Sequence, residues 1–182
     1  MNRFLRSLVP TLIVLLGAGC STMPTPTPNL TTVSRLDLDR YLGRWHVIAH
    51  TPNFLEKGKV ATSDNYARRA DGKLEANFAF RKGSLDAPEQ EWKGVATIVN
   101  PATNAEWKVQ LLWPFSADYR VLELDSDYRW AVVASRGGKW VWILAREPAL
   151  PPATYADLEQ RIAARGLDAQ KLERVPQRPT GR

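Results

Sequence analysis

The sequence contains a single cysteine, Cys20, and only two histidines, His46 and His50. One cysteine excludes a disulfide within the chain, so the fold must be stabilised by its core. Two histidines four residues apart on a strand would lie about 13 Å from each other and cannot share a metal ion. We therefore expect no metal site, and strand alternation predicts that both imidazoles face outward.

Features of several other protein classes are also missing. Lysine and arginine do not form a dense cluster, so no nucleic-acid partner is expected, and the net charge is +6. The chain has no Gly-x-Ser-x-Gly elbow and no phosphate-binding glycine loop, so no cofactor is expected either. Aromatic residues, in contrast, are plentiful, with seven tryptophans, five tyrosines and five phenylalanines. Such rings either fill an interior or line an apolar cavity.

The N-terminus has the organisation of an export signal. Two arginines, Arg3 and Arg6, precede an apolar run too short to span a bilayer, and three small residues stand directly before Cys20. This order predicts a leader over residues 1–19. It resembles the bacterial lipobox, which implies a lipidated Cys20 and an outer-membrane lipoprotein facing the periplasm. Simple cleavage after Gly19, which leaves a free thiol, is the alternative.

The chain that follows the leader divides into three parts. Residues 20–34 are rich in proline and threonine, which predicts an extended tether. Residues 35–178 are long enough for one domain with its own core, and residues 179–182 are expected to be a tail. Removal of the two arginines of the leader lowers the net charge to +4.

Short segments of alternating polarity dominate the domain. About eight of them lie between Gly43 and Arg146, and Asp71-Gly72 is a typical hairpin turn between two of them. Segments with this spacing predict an antiparallel sandwich or barrel.

One helix is expected after the strands. Thr154 is its candidate N-cap and Gly166 its candidate end. Tyr155, Leu158 and Ile162 give one apolar stripe, which has to pack on the outside of the sheet.

Three short motifs resemble the signatures of the lipocalin family, in the family's order. They are Gly43-Arg44-Trp45, then Asp125-Ser126-Asp127-Tyr128, and finally the segment that ends at Arg146. The resemblance covers nearly the whole domain. It implies an all-β fold, an eight-stranded antiparallel up-and-down barrel with one C-terminal helix packed outside.

The resemblance also implies roles for individual residues. Trp45 would fill the closed end of the barrel with Arg146 across its indole, and Gly43 would let the backbone pass close by. Asp127 and Tyr128 would form a structural turn. The implied function is binding of a fatty acid or lysophospholipid, without catalysis.

Strand parity from the fixed closed end selects the side chains that should face the interior. We predict that a ligand contacts Tyr66, Phe78, Phe80, Val109, Leu111, Trp113, Tyr119, Val121, Trp130, Val132, Trp140 and Trp142. A bulge of one residue would invert any of these sets.

Two other functions stay open at this stage. If the tryptophans fill the barrel, the protein would be an interaction module of the cell envelope without a ligand. If the interior holds an acid or base, it could be an enzyme, and parity places the carboxylates of Asp64 and Glu123 inside. The oligomeric state is also open, with a homodimer as one alternative.

Overall fold

The structure is a computed structural model that describes residues 27–179. The predicted leader and the predicted lipidation of Cys20 fall outside this range. Neither of the two helices within it is long and apolar enough to cross a membrane.

Ten antiparallel strands make up one sheet. They are β1 (Gly43–His50), β2 (Lys59–Arg68), β3 (Leu74–Lys82), β4 (Gln90–Trp92), β5 (Val95–Ile98), β6 (Glu106–Leu112), β7 (Phe115–Leu124), β8 (Trp130–Ser135), β9 (Trp140–Ala145) and β10 (Glu173–Arg174). Eight of them form a closed barrel because β1 pairs with both β2 and β9, while β4 and β10 extend β3 and β1 at the side. The predicted eight-stranded antiparallel barrel is confirmed.

The helix α2 (Pro152–Ala164) packs on the outside of this barrel. Its stripe of Tyr155, Leu158 and Ile162 is almost fully buried and contacts outward side chains of β1, β7, β8 and β9. The helix begins two residues before the predicted cap, because proline at the first helical positions needs no N–H partner. Gly166 follows its end with a φ of +75°, as a terminating glycine requires.

A second, larger cluster of buried side chains extends to one end of the barrel and closes it. There the one-turn helix α1 (Leu38–Tyr41) contributes the buried side chains of Leu38 and Tyr41, which belong to one cluster with Trp45 and Trp107. The Trp45 indole N–H donates to the Tyr41 carbonyl oxygen at 2.7 Å. We call this the closed end.

Arg146 fastens the closed end. Its guanidinium lies 3.8 Å from the centre of the Trp45 ring. It also donates hydrogen bonds to four backbone carbonyl oxygens, those of Arg40, Tyr41, Leu42 and Arg44. Gly43 has a φ of +92°, and a side chain there would lie 3.5 Å from the same guanidinium. The residues of the first and third motifs therefore have the structural positions that the resemblance implied.

The second motif is a turn between β7 and β8, organised by Asp125. This buried carboxylate accepts from the backbone N–H groups of Asp127 and Arg129 and from the Arg129 side chain. The Arg129 guanidinium lowers the pKa of Asp125. Asp127 itself is exposed, whereas the Tyr128 hydroxyl accepts from the backbone N–H of Asp37 at 2.8 Å.

Two bulges change the parity along their strands. In β1 the pairing with β9 shifts between Val47 and Ala49, and His50 consequently pairs with Trp142 on the inner face. The prediction that His50 faces outward is wrong for this reason.

In β7 the pairing with β8 shifts between Val121 and Glu123. Glu123 therefore lies outside, where it accepts a hydrogen bond from Arg165 at 2.8 Å. The prediction that its carboxylate faces the interior is wrong.

Part of the predicted tether is packed on the barrel. The Asn29 N–H donates to the Arg165 carbonyl oxygen at 2.7 Å, and the Val33 N–H donates to that of Val121 at 3.0 Å. Pro28 and Leu30 pack beside Gly138 in the β8–β9 hairpin. The segment thus runs along the outside of the barrel towards the closed end.

Candidate functional site

Opposite the closed end, the barrel contains a cavity of about 420 Å³ that is open to solvent. This volume lies within the range of small-molecule pockets. The loop between β1 and β2, the β6–β7 hairpin and the β8–β9 hairpin surround the opening, which we call the mouth. The tryptophans therefore do not fill the barrel, and the alternative of a solid interior is wrong.

Seven of the twelve predicted contact residues line this cavity. They are Tyr66, Phe78, Val109, Leu111, Tyr119, Trp140 and Trp142. All seven come from the alternating positions of β2, β3, β6, β7 and β9 that strand parity predicted. The wall they form is largely apolar, and contact with a ligand remains a prediction for each of them.

Two of the twelve face the interior but do not reach the cavity. Phe80 is fully buried against Trp92, with the Lys59 ammonium 4.9 Å above its ring. Val121 is fully buried in the cluster at the closed end. Phe80 and Val121 therefore pack in the core around the cavity and do not form its surface.

The prediction that Trp130 and Val132 face the interior is wrong. Both belong to the outer cluster beneath α2, and Val132 pairs with Ile143, another outward residue. The inward positions of β8 are Ala131, Val133 and Ser135. Because the helix covers the outer face of this strand, that face is as apolar as the inner one, and polarity does not distinguish them.

Trp113 is also misplaced by the sequence prediction. It lies in the turn between β6 and β7 with 85% of its side chain exposed, outside the cavity wall. The register of these strands shifts between Val109 and Leu112, which ends the alternation before Trp113.

A network of tyrosine hydroxyls forms the floor of the cavity. The Tyr66 hydroxyl donates to that of Tyr119 at 3.0 Å, and the hydroxyls of Tyr119 and Tyr41 are 2.7 Å apart. The Trp107 indole stacks on Tyr119 with ring centres 4.9 Å apart. Burial raises the pKa of Tyr66 and Tyr119 well above the usual range, so these hydroxyls stay protonated. The floor offers neutral hydrogen-bonding groups.

Three carboxylates line this cavity, and one of them, Asp118, lies at the mouth, where it accepts a hydrogen bond from the Arg136 backbone N–H at 2.8 Å. Asp64 comes from β2, as parity predicted, and Glu56 comes from the β1–β2 loop. Burial, together with repulsion by Glu56, raises the pKa of Asp64 to about 7. Near neutral pH the Asp64 side chain therefore carries a proton in a large fraction of molecules.

Glu56 is held in place by neighbours on the inner wall. One carboxylate oxygen, Oε1, accepts from the Trp142 indole N–H at 2.5 Å and from the Asn53 side chain at 3.3 Å. The other, Oε2, has no hydrogen-bond partner and lies 3.5 Å from His50 Nε2. The side chain is only 6% exposed, so it adds negative charge inside the wall.

Residues from the loops and from the strand ends at the mouth complete the cavity, and sequence reasoning missed most of them. They are Phe54, Leu55, Glu56, Leu112, Phe115, Ser116, Ala117, Asp118, Ser135 and Arg136. Strand alternation does not predict loop side chains, and only the apolar pair Phe54-Leu55 within a polar loop gave a signal. Arg136 lies at the rim, with its guanidinium 4.5 Å from the centre of the Trp140 ring.

The cavity suits a largely apolar ligand with few polar groups. No group of three histidine, cysteine, aspartate or glutamate side chains within residues 27–179 is arranged to hold a metal ion. The site therefore consists of an apolar wall, a neutral floor, three carboxylates and a rim that carries the Arg136 guanidinium.

Comparison with known proteins identifies the family. A family model described as a lipocalin-like domain matches residues 36–177. The chain is 32% identical over 163 residues to the outer membrane lipoprotein Blc of Escherichia coli K12, with 89% of this chain and 90% of that protein covered. It is 30% identical over 175 residues to apolipoprotein D of Bos taurus, covering 91% and 90% of the two chains.

Solved structures share the fold at lower sequence identity. Insecticyanin from the tobacco hornworm Manduca sexta superposes with a TM-score of 0.63 at 20% identity, covering 84% of this chain and 87% of that chain. The cockroach allergen Per a 4 gives a TM-score of 0.62 at 21% identity, covering 84% and 96%. With the closed eight-stranded barrel and the family match over most of the domain, the chain belongs to the lipocalin family.

Proposed function

We propose that this protein is an outer-membrane lipoprotein that binds one fatty acid or lysophospholipid in its barrel. The observation that carries the proposal is the open cavity of about 420 Å³ with its mostly apolar wall. Burial of an acyl chain against such a wall is favourable by about 25 cal/mol for each Å² removed from water, before the costs of binding. The lipobox-like sequence at Cys20 and the similarity to Blc lipoproteins support the location.

The charges of the site favour one orientation of such a ligand. Glu56 and Asp64 would repel a carboxylate or phosphate placed deep in the barrel. At the rim, the Arg136 guanidinium can pair with either group. The acyl chain would therefore enter first, and the anionic head group would stay at the mouth.

A titration of the delipidated protein tests this proposal. Palmitate and a palmitoyl lysophospholipid should each bind at one site with a Kd below about 50 micromolar, or about −6 kcal/mol. The variant Arg136→Ala should weaken both ligands severalfold, whereas Arg129→Ala, at the closed end, should not. Absence of binding by either ligand over this range would contradict the proposal.

Catalysis is the second candidate, favoured by the pKa of Asp64 near 7 inside the cavity. An acid or base there could cleave the ester of a bound lysophospholipid with water, releasing a fatty acid. The mass spectrum of the ligand after incubation separates the two functions. We expect an intact lysophospholipid. Release of fatty acid that stops in Asp64→Asn would instead establish an enzyme.

A further inference from the structure

Large exposed apolar side chains are concentrated at one end of the molecule. Phe54, Leu112, Trp113 and Phe115, which we call the mouth patch, are 71%, 43%, 85% and 74% exposed. They come from the β1–β2 loop and the β6–β7 hairpin, both at the open end. Among residues 27–179 the only other large apolar side chain so exposed is Val99, between β5 and β6 at the closed end. Exposed aromatic side chains gathered in this way mark an interaction surface.

The mouth patch is continuous with the cavity. Phe54, Leu112 and Phe115 all contribute to the cavity wall. Each of these side chains is also exposed to solvent, Phe54 and Phe115 over most of their surface. Phe54 also contacts Trp140 inside, with ring centres 5.9 Å apart. A partner seated on the patch would therefore sit directly over the entrance to the cavity.

Basic residues surround the patch. Four exposed cations lie on the loops and strand ends at the mouth, namely Lys57, Lys82, Arg136 and Lys139. Three acids near the mouth are paired with arginines. They are Glu89 with Arg81 at 3.5 Å, Asp86 with Arg178 at 4.0 Å and Asp118 with Arg120 at 3.5 Å. The open end thus combines aromatic side chains with a net positive rim, which is complementary to an anionic lipid surface.

The path of the chain brings the N-terminal segment to the same end. Pro28 packs beside Gly138, in the hairpin whose Arg136 lines the mouth. Cys20 precedes the first described residue, Thr27, by seven positions, which span at most about 25 Å. A lipid attached at Cys20 would therefore be within reach of a membrane that touches the mouth.

From these observations we propose that the open end of the barrel docks on an anionic lipid bilayer, with the mouth patch inserted at the level of the head groups. Tryptophan and phenylalanine are well suited to this interface, and the surrounding cations would contact lipid phosphates. The cavity would then open onto the membrane. This docking depends neither on occupation of the cavity nor on the lipid anchor.

Vesicle co-sedimentation tests the proposal without the anchor. Because residues 27–179 contain the closed barrel and its helix, a chain that starts at Ser21 retains the whole fold. We expect it to bind vesicles of phosphatidylethanolamine and phosphatidylglycerol. The double variant Trp113→Ser/Phe115→Ser should reduce the bound fraction at least about tenfold, whereas Val99→Ser should leave it unchanged. Binding of the unsubstituted chain should persist at high salt, since the apolar contribution is not screened.

Two results would overturn the docking proposal. One is vesicle binding that is absent, or that is the same in the double variant and in Val99→Ser. The other is a dimer of the unsubstituted chain that becomes monomeric in the double variant by analytical ultracentrifugation, because the patch would then be covered by a second copy. Because Trp113 lies outside the cavity wall, the single variant Trp113→Ser should bind vesicles less well and still bind soluble ligand in its cavity. This variant distinguishes a failure of docking from a failure of ligand binding.

Discussion

Arg146 shows how much of the closed end depends on one side chain. It stacks on Trp45 and donates to the carbonyl oxygens of Arg40, Tyr41, Leu42 and Arg44. Each buried carbonyl that loses its donor lowers the free energy of unfolding. Loss of the cation–π contact with Trp45 lowers it further. The role is structural, because the guanidinium lies at the opposite end from the mouth.

Arg146→Ala should therefore lower the free energy of unfolding by about 2–4 kcal/mol. Chemical denaturation monitored by circular dichroism measures the change. Arg44→Ala is the matched control, since Arg44 is exposed and its guanidinium lies 3.8 Å from the Glu89 carboxylate. Such a surface pair contributes at most about 1 kcal/mol. Equal effects of the two substitutions would refute the fastening role of Arg146.

Asp64 gives the cavity its pH dependence. Its pKa is raised from 3.8 to about 7 in the folded protein. Between these values Asp64 retains a proton in the folded protein that it releases in the unfolded chain. The contribution of Asp64 to stability is therefore greatest below pH 3.8 and decreases until the pH reaches about 7. Glu56, Tyr66 and Tyr119 face the same space, but the tyrosines stay protonated over this range.

Asp64→Asn should remove this decrease and raise the free energy of unfolding at pH 8 by about 1–2 kcal/mol. It should also abolish the weakening of fatty-acid binding that we expect as the pH rises through 7. Denaturation curves and ligand titrations across this pH range measure both effects. Asp127→Asn, on the exposed turn, should behave like the unsubstituted protein. A wild-type pH profile in Asp64→Asn would show that another group titrates.

At the scale of elements, α2 determines which faces of the sheet are apolar. Leu158 is fully buried under the helix, whereas Gln160 two residues later is exposed. Leu158→Ala should lower the free energy of unfolding by about 2–5 kcal/mol, because the cavity left behind cannot collapse completely. Gln160→Ala should change it by less than about 0.5 kcal/mol. Urea denaturation measures both changes. If the free energy of unfolding decreased by a similarly small amount in Leu158→Ala and Gln160→Ala, the packing of α2 on the barrel would contribute little to stability.

The helix and the bulges also explain how far the sequence predicted the site. The barrel, its closed end and seven wall residues follow from motifs and strand alternation. Trp130 and Val132 were misplaced because α2 makes the outer face of β8 apolar too. Glu123 and His50 were misplaced because one extra residue in the strand reverses parity, and polarity alone does not locate that residue.

The cavity residues that lie in loops could not be predicted from the sequence for another physical reason. Glu56 and Arg136, two of the charged residues that line the cavity, lie where no period relates neighbouring side chains. Their positions follow from contacts that are distant in sequence, such as the hydrogen bond from Trp142 to Glu56, 86 residues apart. A single sequence carries no local signal for such contacts.

On the scale of the whole molecule, the barrel has two different ends. The closed end is fastened by aromatic packing and Arg146, and the open end combines the cavity, the mouth patch and a cationic rim. The difference between the two ends fits a protein that exchanges an acyl chain with a membrane at its open end only. We propose, above all, that the acyl chain of the ligand binds inside the barrel and not on its surface.

The most direct test is calorimetric titration of the delipidated Val109→Trp variant with a palmitoyl lysophospholipid. Val109 lines the cavity, and an indole at this position should occupy much of its volume of about 420 Å³. Val99→Trp adds the same side chain at the closed end, where Val99 is 55% exposed. We predict that affinity decreases at least about tenfold in Val109→Trp and changes less than about twofold in Val99→Trp. Unchanged affinity in a folded Val109→Trp protein would contradict binding within the barrel.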